Sequence, residues 1–436
     1  MTSARIKDKA ETLRSLLSFL THATETIIKE WETDAQDPKH DPLLPSETLY
    51  DVRQAVVGAC GMYTDLVQEP QHRLMELSLQ PFASRALHVA ATASIADIIA
   101  EADAGSGVDL KMISTKSGIE QIKLAQVLHA LCSANVFAEI EPNYFVNNEI
   151  SQQGLSMYTS SVNLPSVLLN SVQAEKAGIN QTAFEKTFGT TVWDYLEGNT
   201  SKIDDARNPR RELEVFAHAM IGAGRIHSTP IYADYPWESL RKSEIVDVGG
   251  GVGGMSLDLA KRFPCLRFII QDRAAVIPQA EVVWQHELPE AISTQRVQFM
   301  PHDFLTEQPV KGANVYLMRY VLHDWPDEQC ITILSKLRDA MGPHSRILIV
   351  DQIMRTTLGS PHLKRAPAPL PANYGHAQLF SHMVDLAMLS VFNSKERTPE
   401  EFSALAQKAG LKVVKIWECR SIMGVTEMRR SDASSE

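Results

Sequence analysis

Apolar residues recur at helical spacing in two segments near the N-terminus. The segments cover residues 7–32 and about 47–68, and a polar, proline-containing stretch at about 34–45 separates them. The pattern therefore predicts two helices joined by a linker. In the first segment the repeating positions are Leu13, Leu16, Leu17, Leu20, Ile27 and Ile28. Small and apolar residues dominate 81–91, so we expect a third, buried helix there.

The next part of the chain, residues 95–149, alternates between short helical and extended patterns. A helix is followed by a break at Gly105 to Gly107, a short helix near 110–114, a helix near 120–135, and two short strands within 136–147. This order is typical of a winged-helix module. Its helices carry more apolar residues than one small subdomain needs to bury, so we predict homodimerisation. The residues in question are Leu87, Val89, Ile95, Ile98 and Ile99.

The rest of the chain predicts an α/β domain. Residues 161–240 indicate several connecting helices, and from Glu244 onward short β-branched runs alternate with helical patterns. Such alternation predicts a Rossmann-like, doubly wound, mostly parallel sheet. The expected strands are 245–248, 267–271, 297–300, 313–318 and 346–350. A stretch with four prolines over 356–374 predicts a long loop.

Length, charge and cysteine content limit the function. A chain of 436 residues predicts two domains, which we place at 1–160 and 161–436. The net charge of -11 argues against nucleic acid and anionic membranes as partners, and the predicted recognition helix offers only Lys123 as a cation.

The five cysteines are scattered without a CxxC motif, which argues against a disulfide framework and against a metal site. The N-terminus lacks the apolar stretch of a signal peptide, and no run approaches the ~20 apolar residues of a membrane span. These features predict a cytoplasmic protein.

The most informative motif is the run Ile-Val-Asp-Val-Gly-Gly-Gly-Val-Gly-Gly over residues 245–254. A strand leads into a glycine cluster that opens a helix, and glycine is needed where the turn or a ligand leaves no room for a Cβ. This motif is weak evidence alone, because dinucleotide dehydrogenases share it. Asp247, Gly249 and Gly251 are the candidate cofactor contacts in it.

Two further features discriminate between cofactors. The next strand ends at Asp272, about 20 positions after the glycines, where a carboxylate can accept hydrogen bonds from both ribose hydroxyls. The strand after it ends at Asp303 and Phe304, where a carboxylate and a ring can bind and cover an adenine. Solvated strand ends would explain either carboxylate alone. Their joint placement favours an adenosine-containing cofactor.

A candidate catalytic group follows the fourth predicted strand. His323 stands near its carboxyl end, where ligands bind in open α/β sheets, and an imidazole can accept the proton of a hydroxyl at neutral pH. Its other ring nitrogen needs an acceptor, and both Asp351 and Glu396 are candidates. The alternative interpretation of Glu396 is a negative charge at the N-terminus of the helix that begins near Pro399.

These motifs together resemble one family. From about residue 80 to its end the chain resembles the plant caffeate-type and fungal O-methyltransferases, in which a winged-helix dimerisation domain precedes a Rossmann-like catalytic domain. The stretches that carry the resemblance are Asp247 to Gly254, Gln271-Asp272, His302-Asp303-Phe304, Leu322-His-Asp-Trp325 and Lys395-Glu-Arg-Thr398. The chain departs from the family in its proline-rich loop and in its extension before about residue 70.

The resemblance implies S-adenosylmethionine as the cofactor and roles for several residues. His323 would be the base, flanked by Asp351 and Glu396, and Asp324 would lie by the acceptor. The implied cofactor contacts include Gly249, Asp272, Asp303, Phe304 and Arg319, which stands where many members carry lysine.

The acceptor is expected to be a small, largely apolar molecule, either a phenol or an indole or N-hydroxy alkaloid. Its pocket is expected to include Phe216, Met220, Met383, Met388 and Phe392, although such residues at helical spacing also fit a plain core. Two alternatives remain. The protein could retain the cofactor and catalyse dehydration or pericyclic ring formation, or it could be a non-enzymatic winged-helix regulator.

Overall fold

A computed structural model describes most of the chain and divides it into two compact units. One unit joins Met1–Leu66 to Ser160–Glu436, and the other is Val67–Thr159. The first 66 residues group with the second half of the chain, and the predicted division into 1–160 and 161–436 stays a prediction. The described residues are 3–38, 40–102, 106–151, 182, 184–185, 190–193, 227–240 and 242–432.

The first N-terminal helix, α1 (Ser3–Asp34), extends a few residues beyond the predicted bounds at each end, and the second, α2 (Glu47–Val67), ends one residue before its predicted bound. They pack against the proline-rich segment, which has neither helix nor strand over 356–374, as expected. Leu16, Ala55 and Ala59 form a small apolar cluster with Leu370 and Tyr374 of that segment. The N-terminal extension and the proline-rich loop, the two segments in which the chain differs from the family it resembles, therefore pack on each other.

The unit Val67–Thr159 contains the order of elements that the sequence predicts. Its elements are α3 (Pro70–Thr92), α4 (Ile95–Ala102), β1 (Val108–Asp109), α5 (Leu110–Ser117), α6 (Gln121–Ser133), β2 (Phe137–Glu141) and β3 (Tyr144–Asn147). The strands form an antiparallel sheet in the order β1-β3-β2. Asp109 caps α5 through the N–H of Lys111, and Gly118 ends that helix with a φ of 72°. Two helices followed by a hairpin agree with the winged-helix prediction.

The burial of α3 and α4 differs from expectation. Of the residues in α3, Ala86 and Ala90 are buried, whereas Phe82 is 72% exposed, so the helix contacts its unit through small residues on one face. Conversely, Ile95 and Ile99 of α4 are fully buried in the core of this unit. The apolar residues of α4 are therefore used within the unit, and the expectation that they exceed its needs was wrong.

Among the helices in the described part of the chain, none alone has the length and apolar character to cross a membrane. The pair formed by α3 and α4, bent by 55° where they meet, passes that test when the two are taken together.

The second half of the chain forms a seven-stranded sheet with helices between its strands. The elements are β4 (Glu244–Val248), α7 (Gly254–Arg262), β5 (Arg267–Asp272), α8 (Ile277–Glu287), α9 (Pro289–Ser293), β6 (Val297–Pro301), β7 (Val315–Arg319), α10 (Asp327–Ala340), β8 (Arg346–Gln352), α11 (Leu379–Phe392), α12 (Pro399–Lys408), β9 (Leu411–Glu418) and β10 (Met423–Arg430). The strand order is β6-β5-β4-β7-β8-β10-β9. All neighbouring strands are parallel except β10, which runs antiparallel to β8 and β9. All five predicted strands are confirmed within about two residues, while β9 and β10 were not predicted.

Both faces of this sheet are buried. Val246 and Ile349 point into one apolar cluster, whereas their neighbours Ile245 and Leu348 point into another on the opposite side. Such continuous apolar strands are expected where helices cover both faces. Strand β4 pairs with β5 on one side and with β7 on the other, so the strand order reverses there. Ligands of open α/β sheets bind at the carboxyl ends of the strands at such a point.

Candidate active site

The glycine-rich turn lies directly after β4. The backbone N–H groups of Gly249 and Gly250 both donate to the carbonyl oxygen of Gln271, at 2.9 and 3.0 Å. Gly249 has a φ of 71°, and a Cβ there would come within 3.0 Å of Val321 and 3.4 Å of Phe304. This position therefore requires glycine for both backbone and space.

The carboxylate of Asp247 lies against this turn and supports it. The residue is 3% exposed, and its Oδ2 accepts a hydrogen bond of 2.6 Å from the Ser256 hydroxyl of α7. A Cβ on Gly250 would lie 2.7 Å from the carboxyl carbon. Burial raises the pKa of Asp247 to about 6, although Ser256 opposes the shift. The carboxylate that the sequence placed among the cofactor contacts thus braces the turn in this structure.

Asp272 lies at the end of β5, beside the same turn. Its Oδ2 accepts from the N–H of Gly251 at 2.8 Å, and its Oδ1 accepts from the N–H of Arg273 at 2.7 Å. These bonds fix the orientation of the carboxylate. Each oxygen can accept further hydrogen bonds, because a carboxylate offers about four acceptor positions in all.

Asp303 and Phe304 follow β6, the next strand of the sheet. Asp303 is exposed, and its Oδ1 accepts from the N–H of Leu305 at 2.9 Å. The Phe304 ring stands edge-on to Trp325, with ring centroids 5.6 Å apart. Phe304 also lines the space above Gly249. Asp272 and Phe304 therefore both border the glycine turn, and Asp303 directly precedes Phe304.

A buried amide pair, which the sequence did not reveal, fixes the spacing of these two strand ends. The side chains of Gln271 and Gln308 exchange hydrogen bonds of 2.9 and 2.8 Å and are each 1% exposed. Gln271 precedes Asp272, and Gln308 lies shortly after Asp303. The pair thereby ties the segment after β6 to the end of β5.

Arg319, at the end of β7, completes this edge of the sheet. Its Nη2 lies 3.3 Å from the hydroxyl of Ser228, and its guanidinium lies over the ring of Tyr320, 5.0 Å from the centroid. Residues 227–234, which include Ser228, are helical. The positive charge of Arg319 therefore stands close to the carboxyl ends of β4 and β7.

His323 lies in a single turn of 3₁₀ helix, Leu322–Asp324, just beyond β7. Its Nδ1 is 2.8 Å from Oε1 of Glu396, and its Nε2 is 3.4 Å from Oδ1 of Asp324. A carboxylate only accepts, so Nδ1 is the nitrogen that donates to Glu396. The His323 ring also stacks on the Tyr320 ring, with centroids 5.4 Å apart. The side chains of His323 and Glu396 are 12% and 1% exposed, so the pair is nearly buried.

The charges around His323 change its protonation. Burial lowers the pKa of His323, but Asp324, Glu396 and Asp351 together overcome this effect and raise the pKa to about 10. Burial has the opposite effect on a carboxyl group and raises the pKa of Asp324 to about 7, while the positive charge of the His323 imidazolium opposes this rise. A proton is therefore held strongly at this site while only the protein's own charges surround it.

The structure decides between the two candidate partners of His323. Asp351 is 1% exposed, and its Oδ1 accepts from the backbone N–H of Tyr320 at 2.9 Å. Burial raises the pKa of Asp351 to about 6, while His323 opposes the rise. Glu396 makes the hydrogen bond to the imidazole, so Asp351 acts on His323 through its charge.

The alternative interpretation of Glu396, as a charge at a helix N-terminus, does not describe its contacts. Helix α12 is capped by Thr398 and Glu401, which form a reciprocal capping box, and Glu396 lies before the cap. The backbone N–H of Glu396 instead donates to Oδ1 of Asp385 in α11 at 2.8 Å. Asp385 is a further site residue that the sequence analysis did not identify, because a single carboxylate in an apolar helix carries no motif.

The residues expected to line an acceptor pocket are only partly brought together. Met388 and Phe392 are buried at the C-terminal end of α11, where the Phe392 ring lies 5.5 Å from that of Trp193. Met383, one turn earlier, is 51% exposed. Phe216 and Met220 lie outside the described residues.

The geometry is that of an enzyme with a site for an adenosine-containing cofactor beside a group that can remove a proton. A Rossmann-like sheet places a glycine turn, a carboxylate after the neighbouring strand, and a buried histidine–carboxylate pair at one edge. The turn leaves no room for a Cβ at Gly249, and Asp272 and Phe304 flank it, which fits an adenosine-containing cofactor. The His323–Glu396 pair beside it fits removal of a proton.

Comparison with known proteins identifies the family. A model of the O-methyltransferase domain matches residues 168–412, more than half of the chain. The O-methyltransferase gedA of Aspergillus terreus is 41% identical over 464 aligned residues, covering 95% of this chain and 96% of gedA. The chain therefore belongs to the O-methyltransferase family.

Solved structures agree with this assignment. The O-methyltransferase NcsB1 from neocarzinostatin biosynthesis, in complex with S-adenosyl-L-homocysteine and 1,4-dihydroxy-2-naphthoic acid, superposes with a TM-score of 0.56 at 25% identity over 80% of this chain and 96% of NcsB1. A pericyclic reaction enzyme reaches a TM-score of 0.66 over 94% of this chain and 99% of its own, but at 20% identity it shares the fold alone. S-adenosylmethionine is the cofactor of this family and of this protein.

Proposed function

We propose that the protein methylates a hydroxyl oxygen of a small acceptor, with His323 as the general base. The observation that carries this proposal is the 2.8 Å hydrogen bond between His323 and Glu396, buried beside the glycine turn. Because Glu396 occupies Nδ1, the nitrogen that can take a proton from the acceptor is Nε2. Asp324 lies 3.4 Å from Nε2 and would stand beside the acceptor oxygen.

The reaction needs little covalent chemistry from the protein. When bound, S-adenosylmethionine supplies a methyl group on a positively charged sulfur, which is reactive toward an oxygen nucleophile. His323 would accept the hydroxyl proton as the acceptor oxygen takes up the methyl group and S-adenosylhomocysteine leaves, and Glu396 would stabilise the resulting imidazolium through Nδ1. Tyr320 stacks on the ring and keeps its plane fixed. The proton then leaves His323 for solvent, and positioning supplies much of the rate.

The same edge of the sheet offers the groups that would hold the cofactor. Asp272 would accept from the ribose hydroxyls, and Asp303 and Phe304 would bind and cover the adenine. The open space beside Gly251, where an added Cβ would meet nothing within 4 Å, and the cation of Arg319 would accommodate the amino-acid part. Asp247 and Gly251 would support them by bracing the turn and by orienting Asp272.

Replacing Asp272 by asparagine tests this assignment. We expect the dissociation constant of S-adenosylhomocysteine to rise by about 10- to 100-fold, because hydrogen bonds to a charged acceptor are worth roughly 1.5–3 kcal/mol. Isothermal titration calorimetry measures this directly. Asp339→Asn, at an exposed carboxylate in α10, is the matched control and should bind normally. Unchanged binding by Asp272→Asn would contradict the ribose assignment.

The acceptor we propose is a small aromatic molecule, either phenolic or an N-hydroxy alkaloid, of the kind made in secondary metabolism. This inference is supported by the apolar residues of α11, among them Met388 and Phe392, and by the naphthoic acid bound to the related NcsB1. Met383 would contribute at the exposed rim of the same helix. Phe216 and Met220 remain predicted pocket residues.

The direct test is transfer of label from methyl-labelled S-adenosylmethionine to a metabolite extract, with products followed by mass spectrometry. A product that gains one labelled methyl group and is absent with a His323→Ala variant supports the proposal. If the cofactor binds without being consumed while another metabolite changes mass or retention, the chain instead catalyses dehydration or ring formation. If it binds DNA at physiological salt and transforms no metabolite, it is a regulator.

We also propose that the protein is a homodimer that associates through α3. Met75, Leu79, Phe82 and Val89 follow one face of this helix, and each is exposed, from 37% at Val89 to 72% at Phe82. Ala86, between Phe82 and Val89 on this face, is buried, so the exposed stripe is longest from Met75 to Phe82. Exposed apolar residues that follow one face mark an association surface.

The change Phe82→Glu should therefore shift the protein from dimer to monomer in sedimentation velocity at micromolar concentration, because it places a charge in the centre of the stripe. Leu358→Glu, at an 83% exposed residue of the proline-rich segment, is the control and should not alter the sedimentation coefficient. A wild-type monomer would contradict the proposal outright.

A further inference from the structure

The buried guanidinium of Arg397 joins two segments of the active site. Arg397 follows Glu396 directly and is 1% exposed. Its Nη1 donates to the carbonyl oxygen of Leu322 at 2.7 Å, and its Nη2 donates to that of Trp325 at 2.8 Å. These two carbonyls lie on either side of His323 and Asp324. One side chain thus bridges the turn that carries the imidazole and the segment that carries its carboxylate partner.

The backbone of Arg397 makes a third connection. Its carbonyl oxygen accepts from the N–H of Met354 at 2.9 Å, and the residue forms a parallel bridge with Ile353. Both partners follow β8 and lie within three residues of Asp351. Arg397 is therefore bonded to each of the three segments that supply His323, Glu396 and Asp351.

The free-energy cost of burying the Arg397 guanidinium indicates that this residue does more than stabilise the fold. Removing a guanidinium from water is expensive unless its charge and donors are satisfied. Here Asp327 takes up the charge, with its Oδ1 at 2.9 Å from Nη2 and 3.2 Å from Nε. Arg338 offers a comparison within the same unit. It also donates to a carbonyl, that of Ala409, and pairs with an aspartate, but it is one-third exposed and none of its recorded contacts involves the site.

We propose that Arg397 is a positioning residue that holds the carboxylate of Glu396 against Nδ1 of His323. Its planar fork spans the two carbonyls at a fixed separation, which sets the distance between the His323 turn and the Glu396 segment. Lysine has one compact cationic nitrogen and cannot bridge both carbonyls in the same way. This inference rests on the proposed function of His323, since positioning matters only if the pair moves a proton.

The decisive experiment titrates the His323 imidazole by NMR in the full-length protein, with its signal assigned by its loss in His323→Ala. The variants are Arg397→Met and Arg397→Lys, and Arg338→Met is the control. If Arg397 positions Glu396, the pKa of His323 falls in Arg397→Met and falls less in Arg397→Lys, because the carboxylate that raises it has moved away.

Other roles for Arg397 predict different changes in the pKa of His323. If only its charge mattered, removing a cation would raise the pKa of His323, and Arg397→Lys would leave it unchanged. If Arg397 only stabilised the fold, folded variants would show the wild-type pKa and a lower melting temperature, as we expect for Arg338→Met. Either result would overturn the proposal. Should Arg397→Met fail to fold, Arg397→Lys retains the charge and decides between the same outcomes.

Kinetics supply a second, independent readout. At alkaline pH, where His323 is deprotonated in both proteins, Arg397→Met should lower kcat by about 10- to 100-fold, the cost of a small misplacement of a catalytic group, while cofactor binding stays unchanged. In a Glu396→Gln background the same change should cost far less, because its effect passes through Glu396. Fully additive losses would contradict the proposal. If the wild-type protein transfers no methyl group, the proposed function fails, whereas the NMR titration still decides the role of Arg397.

Discussion

Replacing His323 by alanine should lower kcat for methyl transfer by about 10²- to 10⁴-fold, the usual contribution of a general base. The Nε2 atom that would accept the hydroxyl proton is lost, and a neutral hydroxyl is a poor nucleophile. Cofactor binding should change little, because the glycine turn, Asp272 and Phe304 make no hydrogen bond to His323 in this structure. The measurement is single-turnover transfer of labelled methyl groups, alongside calorimetric binding of S-adenosylhomocysteine.

The control for this variant is His344→Ala, which removes an exposed histidine from the turn before β8 and should have full activity. If His323→Ala transfers methyl groups at the wild-type rate, the base assignment is wrong, and proximity alone drives the reaction. Loss of both turnover and cofactor binding would instead indicate a damaged fold, which the melting temperature would reveal.

The parts of the fold that the sequence predicted have strong local signals. Strands β4, β5, β6, β7 and β8 are short runs buried on both faces, so their apolar residues are continuous and the helices between them complete the pattern. The cofactor edge follows from this order, since the carboxyl ends of parallel strands meet. Asp272 and Asp303 lie at the strand ends where the sequence placed them, and their contacts with the cofactor stay a prediction.

Strands β9 and β10 were missed because their signals are weaker. Residues 411–418 lie at an edge of the sheet and carry charges at every third position, so they lack the period-two alternation that marks a strand. Strand β10 is antiparallel and carries buried Thr426 and Glu427. The exposure of α3 could not be predicted, because a stripe of apolar residues has the same sequence pattern whether it faces its own core or another molecule.

The choice between Asp351 and Glu396 also depended on tertiary structure. Both carboxylates follow sequence motifs and both are buried. What separates them is geometry: Oε1 of Glu396 lies 2.8 Å from Nδ1 of His323, whereas Oδ1 of Asp351 accepts from the N–H of Tyr320. The Glu396 segment is bonded to Asp385 and, through Arg397, to the carbonyl oxygen of Leu322. These contacts join residues that lie up to 75 positions apart in the chain. No local pattern reports such a distance.

Replacing Glu396 by glutamine should both slow the reaction and change its pH dependence. Glutamine can still accept from Nδ1, but it cannot offset the charge of the imidazolium. We therefore expect a loss of about 10- to 100-fold in the kcat reached at alkaline pH, where His323 is deprotonated in both proteins, from roughly 1.5–3 kcal/mol. The carboxylate also helps raise the pKa of His323 to about 10. Without it, this pKa should fall toward its ordinary value.

The base works only when His323 is deprotonated, so kcat/KM should rise with pH as the imidazole loses its proton. The wild-type profile should therefore rise at alkaline pH, and that of Glu396→Gln should rise at lower pH and level off at a lower rate. Rates measured from mildly acidic to alkaline pH give both curves. Glu400→Gln, in the first turn of α12, is the control and should follow the wild-type profile. Superimposable curves for Glu396→Gln and wild type would mean that Glu396 does not set the protonation of His323, because removing a hydrogen-bonded carboxylate from a working base must lower its pKa.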